Sequence, residues 1–481
     1  MLFKEALNTP CGLRYMYDSL DLRSSAGRRL LLETEMMTDG PEISEHYGKL
    51  MEFFEKADDK NAATLQVKLT RLRDIAGTAS GLASGTVLDD VELFEVKNLL
   101  LLAIEIREVL SAMKVGSVTV SLLCEIVVRI LDPDGQRVPS FHVYDSYSDE
   151  LARLRAEIKR KGEDEELLRR SQELENAVRV RLSGELRQYA NVIWLTLETL
   201  AEVDVLLAQS MQMKDMGLVF PQGMAELSGT ASSGRGKTKS ANKSSAVAAA
   251  EYTDEMPSHR GRTKYVKMFH PQVRELLAEK GRDFQPVDID FGGGPVTIIG
   301  ANMGGKTVVL KTVGLCQLLF QFGFGIPADE AVIDIKRGVL FCIGEQENIM
   351  EKGLSSFASE VVCINGIIEA AGKGGRMLAL VDEPARATNP VEGTALVEAF
   401  IRIMDGGNTD LIVTTHYKLE GTPGRKFRVT GLVGGKMDYS LVETDDSAIP
   451  HEAVNIAQAL GADARWLALT KEILEKKAKR G

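Results

Sequence analysis

Cysteine is scarce and scattered in this chain. Cys11, Cys124, Cys316, Cys342 and Cys363 are odd in number, far apart and never in C-x-x-C spacing. That pattern argues against a disulfide framework and against structural zinc, and leaves free buried thiols in a reducing compartment as the expectation. Positive charge is also short: 58 Lys and Arg stand against 69 Asp and Glu, a net charge of -11. Extended non-specific contact with a phosphate backbone normally needs concentrated Lys and Arg, so that class is disfavoured, with a local basic patch left open. A long apolar run is missing too. Leu99 to Ile104 is ended by Glu105 and Arg107, well short of a membrane span, and MLFKEALNTPCG has no apolar core and no cleavage-like end. A cytoplasmic protein with no membrane partner is expected.

What is present falls into unlike segments, and 481 residues have room for two to four units with cores of their own. Residues 1–222 read as helix. Leu22 to Thr34, Glu42 to Ile75 and Asp90 to Met113 repeat apolar positions every third or fourth residue. Ser146 to Leu207 is long, charge-laced and nearly free of breakers, which suggests an extended helical pair or lever turning at Lys161-Gly162-Glu163-Asp164. Between these, Asp132-Pro133-Asp134-Gly135 is flanked by Val127-Val128-Arg129 and Ser140 to Val143, which predicts a small hairpin. Residues 223–262 are small and polar around Ser228 to Ser240 and read as a flexible linker, with Arg235, Lys237, Lys239, Lys243, Arg260 and Arg262 giving it a basic character. From 263 to 445 strands alternate with helices, and 446–481 reads as a helical pair broken at Gly461-Ala462-Asp463.

Three strand ends in the third segment carry chemistry. Val296 to Ile299 runs into Gly300-Ala301-Asn302-Met303-Gly304-Gly305-Lys306-Thr307, and an apolar-periodic run follows. That is the GxxxxGK[ST] spacing in its strand–loop–helix setting: glycines let backbone N–H groups face phosphates, Lys306 reaches the β- and γ-phosphates, and the Thr307 hydroxyl meets Mg²⁺. Met377 to Val381 ends in Asp382-Glu383. A bare acidic pair after a strand is often a helix cap; behind a phosphate loop, Asp382 is the expected metal ligand and Glu383 the residue that polarises the attacking water. Asp410 to Val413 ends in Thr414-Thr415-His416, placing His416 as a hydrogen-bonding sensor of the γ-phosphate. Short apolar strands that deliver polar residues at one edge are the habit of a parallel sheet. The chain is thus expected to hold an α/β P-loop NTPase domain with a mixed, mainly parallel sheet. An N-terminal, mostly α-helical core and lever precede it, a C-terminal helical pair follows, and ATP and Mg²⁺ are its cofactors.

The string TIIGANMGGKT resembles the MutS family of mismatch-repair ATPases and their relatives. Downstream segments agree in order: Gln321 to Ala328, the serine-rich Leu354 to Glu360, Leu380 to Gly393, and Thr415-His416-Tyr417. The resemblance implies an ATPase dimer with composite sites, in which Ser355 and Ser356 cap the γ-phosphate of a partner, either a second copy or a companion subunit. It implies that His451 to Lys476, with Ala453, Ile456, Ala457, Leu460 and Leu467, helps hold that dimer. His270-Pro271 is similar to the family's His-Pro, and Phe284 to the aromatic that stacks on adenine, against the alternative of a plain core phenylalanine. Gly27 to Leu30, Leu72 to Ile75, Asp132 to Leu154 and Ala201 to Asp204 resemble the family's core and lever.

Departures from the pattern bear on function. No room is expected before residue 12 for mismatch-recognition or connector domains, nor after Gly481 for a nuclease-like extension. The lever has a turn at Lys159 to Glu165 where DNA-gripping members have a clamp. Pro384, Ala385 and Thr388-Asn389-Pro390 replace the usual run after the acidic pair, and Pro390 restricts the backbone there. Such compactness is similar to MutS-like proteins that resemble reactivating factors of lysine 5,6-aminomutase or a related adenosylcobalamin-dependent aminomutase. The resulting expectation is an ATPase that remodels a protein client. The alternatives are a DNA mismatch-repair or recombination ATPase and a structural dimerisation module with weak ATPase activity.

Overall fold

A computed structural model describes residues 1–137, 140–162, 164–222, 261–300, 305–344, 356–386, 388–433, 436–444, 454 and 462–478. Residues 1–222 are mostly helical. Short helices α1 (Phe3–Ala6), α2 (Leu13–Asp18) and α3 (Ser25–Glu33) lead into α4 (Gly40–Lys56), α5 (Asp59–Leu69) and α6 (Ala76–Ser84). The long α7 (Asp90–Ala112) starts on a reciprocal cap: Asp89 accepts the Glu92 N–H while Glu92 accepts the Asp89 N–H. α8 (Leu123–Leu131) follows, then α9 (Asp149–Lys161), α10 (Glu165–Arg187) and α11 (Ala190–Met216). The turn between α9 and α10 uses Gly162 at φ 96° and Asp164 as the cap of α10.

The hairpin expected around residues 127–143 is not formed. Val127-Val128 lies inside α8, where Cys124, Val127, Val128 and Leu131 are all buried. Spacing of three, four and seven residues puts them on one helix face, and that burial outweighs the strand preference of two adjacent valines. The following segment is irregular. It is held by a buried ion pair between Lys97 and Asp132 at 3.3 Å, by the Lys97 ammonium donating to the Tyr144 hydroxyl at 3.0 Å, and by Asp132 accepting the Arg137 N–H at 2.7 Å.

The second half is α/β. A six-stranded sheet has the order β5-β6-β7-β3-β8-β9, formed by β3 (Val296–Ile299), β5 (Gly338–Cys342), β6 (Met377–Asp382), β7 (Thr409–Thr415), β8 (Arg425–Val433) and β9 (Lys436–Glu443). Every pair is parallel except β8–β9. A small antiparallel sheet joins β1 (Thr263–Met268), β2 (Val287–Phe291) and β4 (Glu330–Val332). Helices α12 (Pro271–Glu279), α13 (Lys306–Gln321), α14 (Ser356–Gly372) and α15 (Pro390–Met404) lie between strands. α16 (Ala464–Ala478) is the part of the expected C-terminal pair that is described, and the earlier arm with Ala453, Ile456, Ala457 and Leu460 falls outside the described residues, as does the expected linker up to residue 260. No described helix is long and apolar enough to cross a membrane.

The two halves share a continuous apolar core in which Phe3, Tyr47, Phe320, Phe322 and Phe324 are buried. Polar contacts reinforce it. The Tyr47 hydroxyl donates to the carbonyls of Phe320 at 3.2 Å and Phe324 at 2.8 Å, and the Met37 N–H donates to Gln321 at 2.9 Å. His46 Nε2 donates to the Gly323 carbonyl at 3.0 Å. Gly323 has φ 75°, and a Cβ there would lie 2.0 Å from His46 Nε2. Val219 and Ile326 exchange both backbone hydrogen bonds at 2.9 Å.

A second junction histidine, His270, donates from Nε2 to the Cys11 carbonyl at 3.1 Å. Burial pulls its pKa down to about 4, with the Cys11 contact opposing. An unfolded histidine titrates near ~6.5, so the unfolded chain binds the extra proton first as pH falls. Stability is therefore complete above that value and is lost on descent toward the folded pKa. Urea unfolding should show a loss of about 2 kcal/mol from this group between neutral pH and about pH 5, and His270→Gln should flatten that slope.

Candidate functional site

Strand register assembles the site. Ile299 pairs with Thr415, and Asp382 pairs with Thr414, so the residues after β3, β6 and β7 open on one sheet edge. α13 starts there with Gly305 at φ 73° as its first flanking residue. The conformation suits glycine, and a Cβ at Gly305 would also meet the Tyr439 ring at 3.1 Å.

Lys306, 4% exposed, donates to the Gly300 carbonyl at 2.7 Å and pairs with Glu383 Oε1 at 3.1 Å. Arg386 lies on the other Glu383 oxygen at 3.5 Å. The Thr307 hydroxyl donates to Asp382 Oδ2 at 2.7 Å, and the Thr414 hydroxyl donates to Asp382 Oδ1 at 2.5 Å. Thr414 Oγ1 in turn accepts the Glu383 N–H at 3.0 Å. One hydroxyl thus orients both carboxylate-bearing residues. The strand setting of Thr414 gave no sign of this role, because the contact arises only from the β6–β7 register.

Past the strand the chain turns sharply. Glu383 and Ala385 have φ of 44° and 61°, the left-handed region that side chains other than glycine adopt at a cost. The turn is held from two sides: the Ala385 N–H donates to Glu360 Oε2 at 3.0 Å, and the Ala385 carbonyl accepts the Tyr417 hydroxyl at 2.8 Å. Burial pushes the Glu360 carboxyl up, opposed by that Ala385 N–H. Gly393 makes room for Tyr417, whose hydroxyl would lie 2.5 Å from a Cβ at that position. Glu360 and Tyr417 therefore position the acidic turn, from a helix and a strand end distant in sequence.

Phe284 is partly buried and borders a cavity of about 380 Å³ together with Val308, Val309, Thr312 and Tyr439. Its neighbour Gln285 is fixed to β9, donating to Asp438 at 2.7 Å and to Ser440 at 3.0 Å and accepting the Tyr439 N–H at 3.0 Å. The cavity opens beside the first turns of α13 and has a planar ring at two of its borders.

Gly300, Gly305, Lys306, Thr307, Asp382 and Glu383 are thus brought together, with Phe284 in the adjoining cavity. His416 is exposed, its ring tilted at 41° to that of Tyr417 with centroids 4.3 Å apart. Ser356 opens α14, while its side chain, Ser355 and the loop residues Ala301, Asn302, Met303 and Gly304 fall outside the described residues. Thr307 Oγ1 and Asp382 Oδ2 lie 2.7 Å apart, two oxygen donors of the kind a hard cation such as Mg²⁺ takes.

Residues 296–427 match the family MutS domain V. The chain is similar to Endonuclease MutS2 of Geobacillus kaustophilus, 33% identical over 222 residues that make up 44% of this chain and 27% of that protein. It is 44% identical to Endonuclease MutS2 of Halothermothrix orenii over 136 residues, 27% of this chain and 17% of the relative. A putative endonuclease MutS2 of Bacillus subtilis is 36% identical over 175 residues, 35% of this chain and 21% of that protein. The similarity is homology to the ATPase part of MutS2 proteins, and each match spans about a quarter of the relative or less. Thr414→Val removes the hydroxyl that orients Asp382 and Glu383; magnesium-dependent binding of a fluorescent ATP analogue should weaken at least about tenfold, with the thermal midpoint little changed.

Proposed function

We propose that the chain is a magnesium-dependent ATPase of MutS type that couples nucleotide state to a partner protein. The observation that carries this reading is the meeting of Thr307 with Asp382 at 2.7 Å and of Lys306 with Glu383 at 3.1 Å on one parallel-sheet edge. A phosphate-loop lysine, a hydroxyl–carboxylate pair for a cation and a neighbouring carboxylate are the parts that phosphoryl transfer to water requires. Bound Mg²⁺ would neutralise charge developing on the β- and γ-phosphates. Lys306 would bind those phosphates, Thr307 and Asp382 would hold the metal, and Glu383 would accept a proton from the attacking water. Phe284 and Tyr439 would flank the adenine in the adjoining cavity. His416 would turn toward the γ-phosphate from the end of β7.

The site is proposed to be completed across a dimer, through Ser355 and Ser356 of a second copy or companion subunit. Support comes from α16, where Trp466, Leu469 and Ile473 are exposed at 63%, 57% and 46% on one face of the helix. The helical half then acts as the lever. Only residues 162–164 separate α9 from α10, too short a connection to hold a clamp for a duplex, and this favours a protein client. An adenosylcobalamin-dependent aminomutase is the client class proposed, on the compact plan of the lever. The similarity to proteins named as MutS2 endonucleases favours a second reading, in which the client is DNA.

ATP turnover in the presence of an aminomutase holoenzyme or of branched DNA separates the two. Stimulation by DNA alone would overturn the protein-client reading. Lys306→Ala should abolish tight ATP binding, whereas Glu383→Ala should keep binding and lower turnover by about a hundredfold or more. Ser355→Ala with Ser356→Ala should impair hydrolysis on its own. Mixing that double variant with Lys306→Ala should restore one working composite site.

A further inference from the structure

The sequence scatters its cysteines, but the fold brings two of them together. Cys342 ends β5, and Cys363 lies in α14, the helix that packs on that strand. Both thiols sit in the apolar layer between α14, α15 and the sheet: Cys342 is buried among Ala379, Val381 and Ile367, and the partly buried Cys363 packs against the same cluster. The Cys363 thiol donates to the carbonyl of Phe341, the residue before Cys342, at 3.4 Å. We propose that Cys342 and Cys363 are a redox-sensitive thiol pair that closes to a disulfide on exposure to a hydroperoxide and thereby ties α14 to the end of β5.

Their environments divide the roles. The neighbouring Cys363 pushes the Cys342 thiol up, with burial adding to the shift, while Cys342 pulls the Cys363 thiol down against its own burial. Cys363, the more accessible thiol, is the attacking sulfur. Its thiolate attacks one peroxide oxygen, the O–O bond breaks, and hydroxide leaves to take up the thiol proton as water. The Cys363 sulfenic acid then accepts the Cys342 sulfur; the S–S bond forms and a second water leaves with the Cys342 proton. Two electrons pass from the sulfur pair to the peroxide, and a dithiol reverses the change. Cys11, Cys124 and Cys316 are buried in apolar surroundings that push all three thiols up, so they stay reduced.

The cross-link bears on the site through α14. Glu360, three residues before Cys363, accepts the Ala385 N–H and so holds the acidic turn. A disulfide would pull α14 toward the end of β5 and shift Glu360 with it, which disturbs the Ala385 turn that follows Asp382 and Glu383. This consequence for turnover rests on the ATPase reading above; formation of the bond does not.

The experiment treats the full chain with hydrogen peroxide, maps peptides with and without dithiothreitol, and follows ATP turnover in parallel. Expected are a Cys342–Cys363 peptide pair lighter by two hydrogens, no other disulfide, and loss of most turnover that dithiothreitol restores. Cys363→Ser and, separately, Cys342→Ala should leave reduced turnover intact and abolish its peroxide sensitivity. Cys363 found as sulfinic acid, or both thiols still free after treatment, overturns the pair. A formed pair with unchanged turnover overturns its regulatory consequence. Absence of turnover in the reduced protein is instead a failure of the ATPase reading, and the peptide map still decides the disulfide.

Discussion

The carbonyl oxygens at the end of α13 emerge inside the protein, where Phe320, Gln321, Phe322 and Phe324 are all buried. A helix end in such surroundings leaves several acceptors without intrahelical partners, and each one unpaired costs about 1–3 kcal/mol. The donors come from the helical half: Tyr47, His46 and the Met37 N–H. The opposite end of α13 begins the phosphate loop. One rigid helix therefore has its first turn at the proposed nucleotide and its last turn locked into the helical half. Burial pulls the His46 pKa down, with the Gly323 contact opposing the shift, which favours the uncharged ring at this junction.

The other dependence runs across the sheet. Parallel pairing of β3 with β7 and of β7 with β6 fixes three strand ends at a common height. Thr414 spans the gap by serving Asp382 and Glu383 with a single hydroxyl. The strained acidic turn beyond is kept in place by Glu360 below and Tyr417 beside it. Non-glycine residues at positive φ persist where surrounding contacts over-determine them, and Ala385 has both its N–H and its carbonyl engaged.

Much of this was legible in the residues. The strand at 296–299, the strand that ends in Asp382 and the helix that begins at Lys306 are local signals, read from apolar runs and the glycine-rich break between them. So are the turn at Gly162 and the long amphipathic helices. What could not be read depends on contacts between distant segments. Val127 and Val128 look like a strand until Cys124 and Leu131 are seen to share their face. Thr414 becomes a positioning residue only through register. Cys342 and Cys363 look isolated because their proximity is a property of α14 lying on β5. His46 and Tyr47 sit in an ordinary helical pattern, and nothing in that pattern says their donors end another helix.

The ion pair between Lys306 and Glu383 carries a last consequence. The two charges lie 3.1 Å apart where both side chains are nearly enclosed, at 4% and 11% exposure. Removing one partner of such a pair leaves the other poorly compensated, which is the costly way to break it. A substitution at either position is therefore felt at the other.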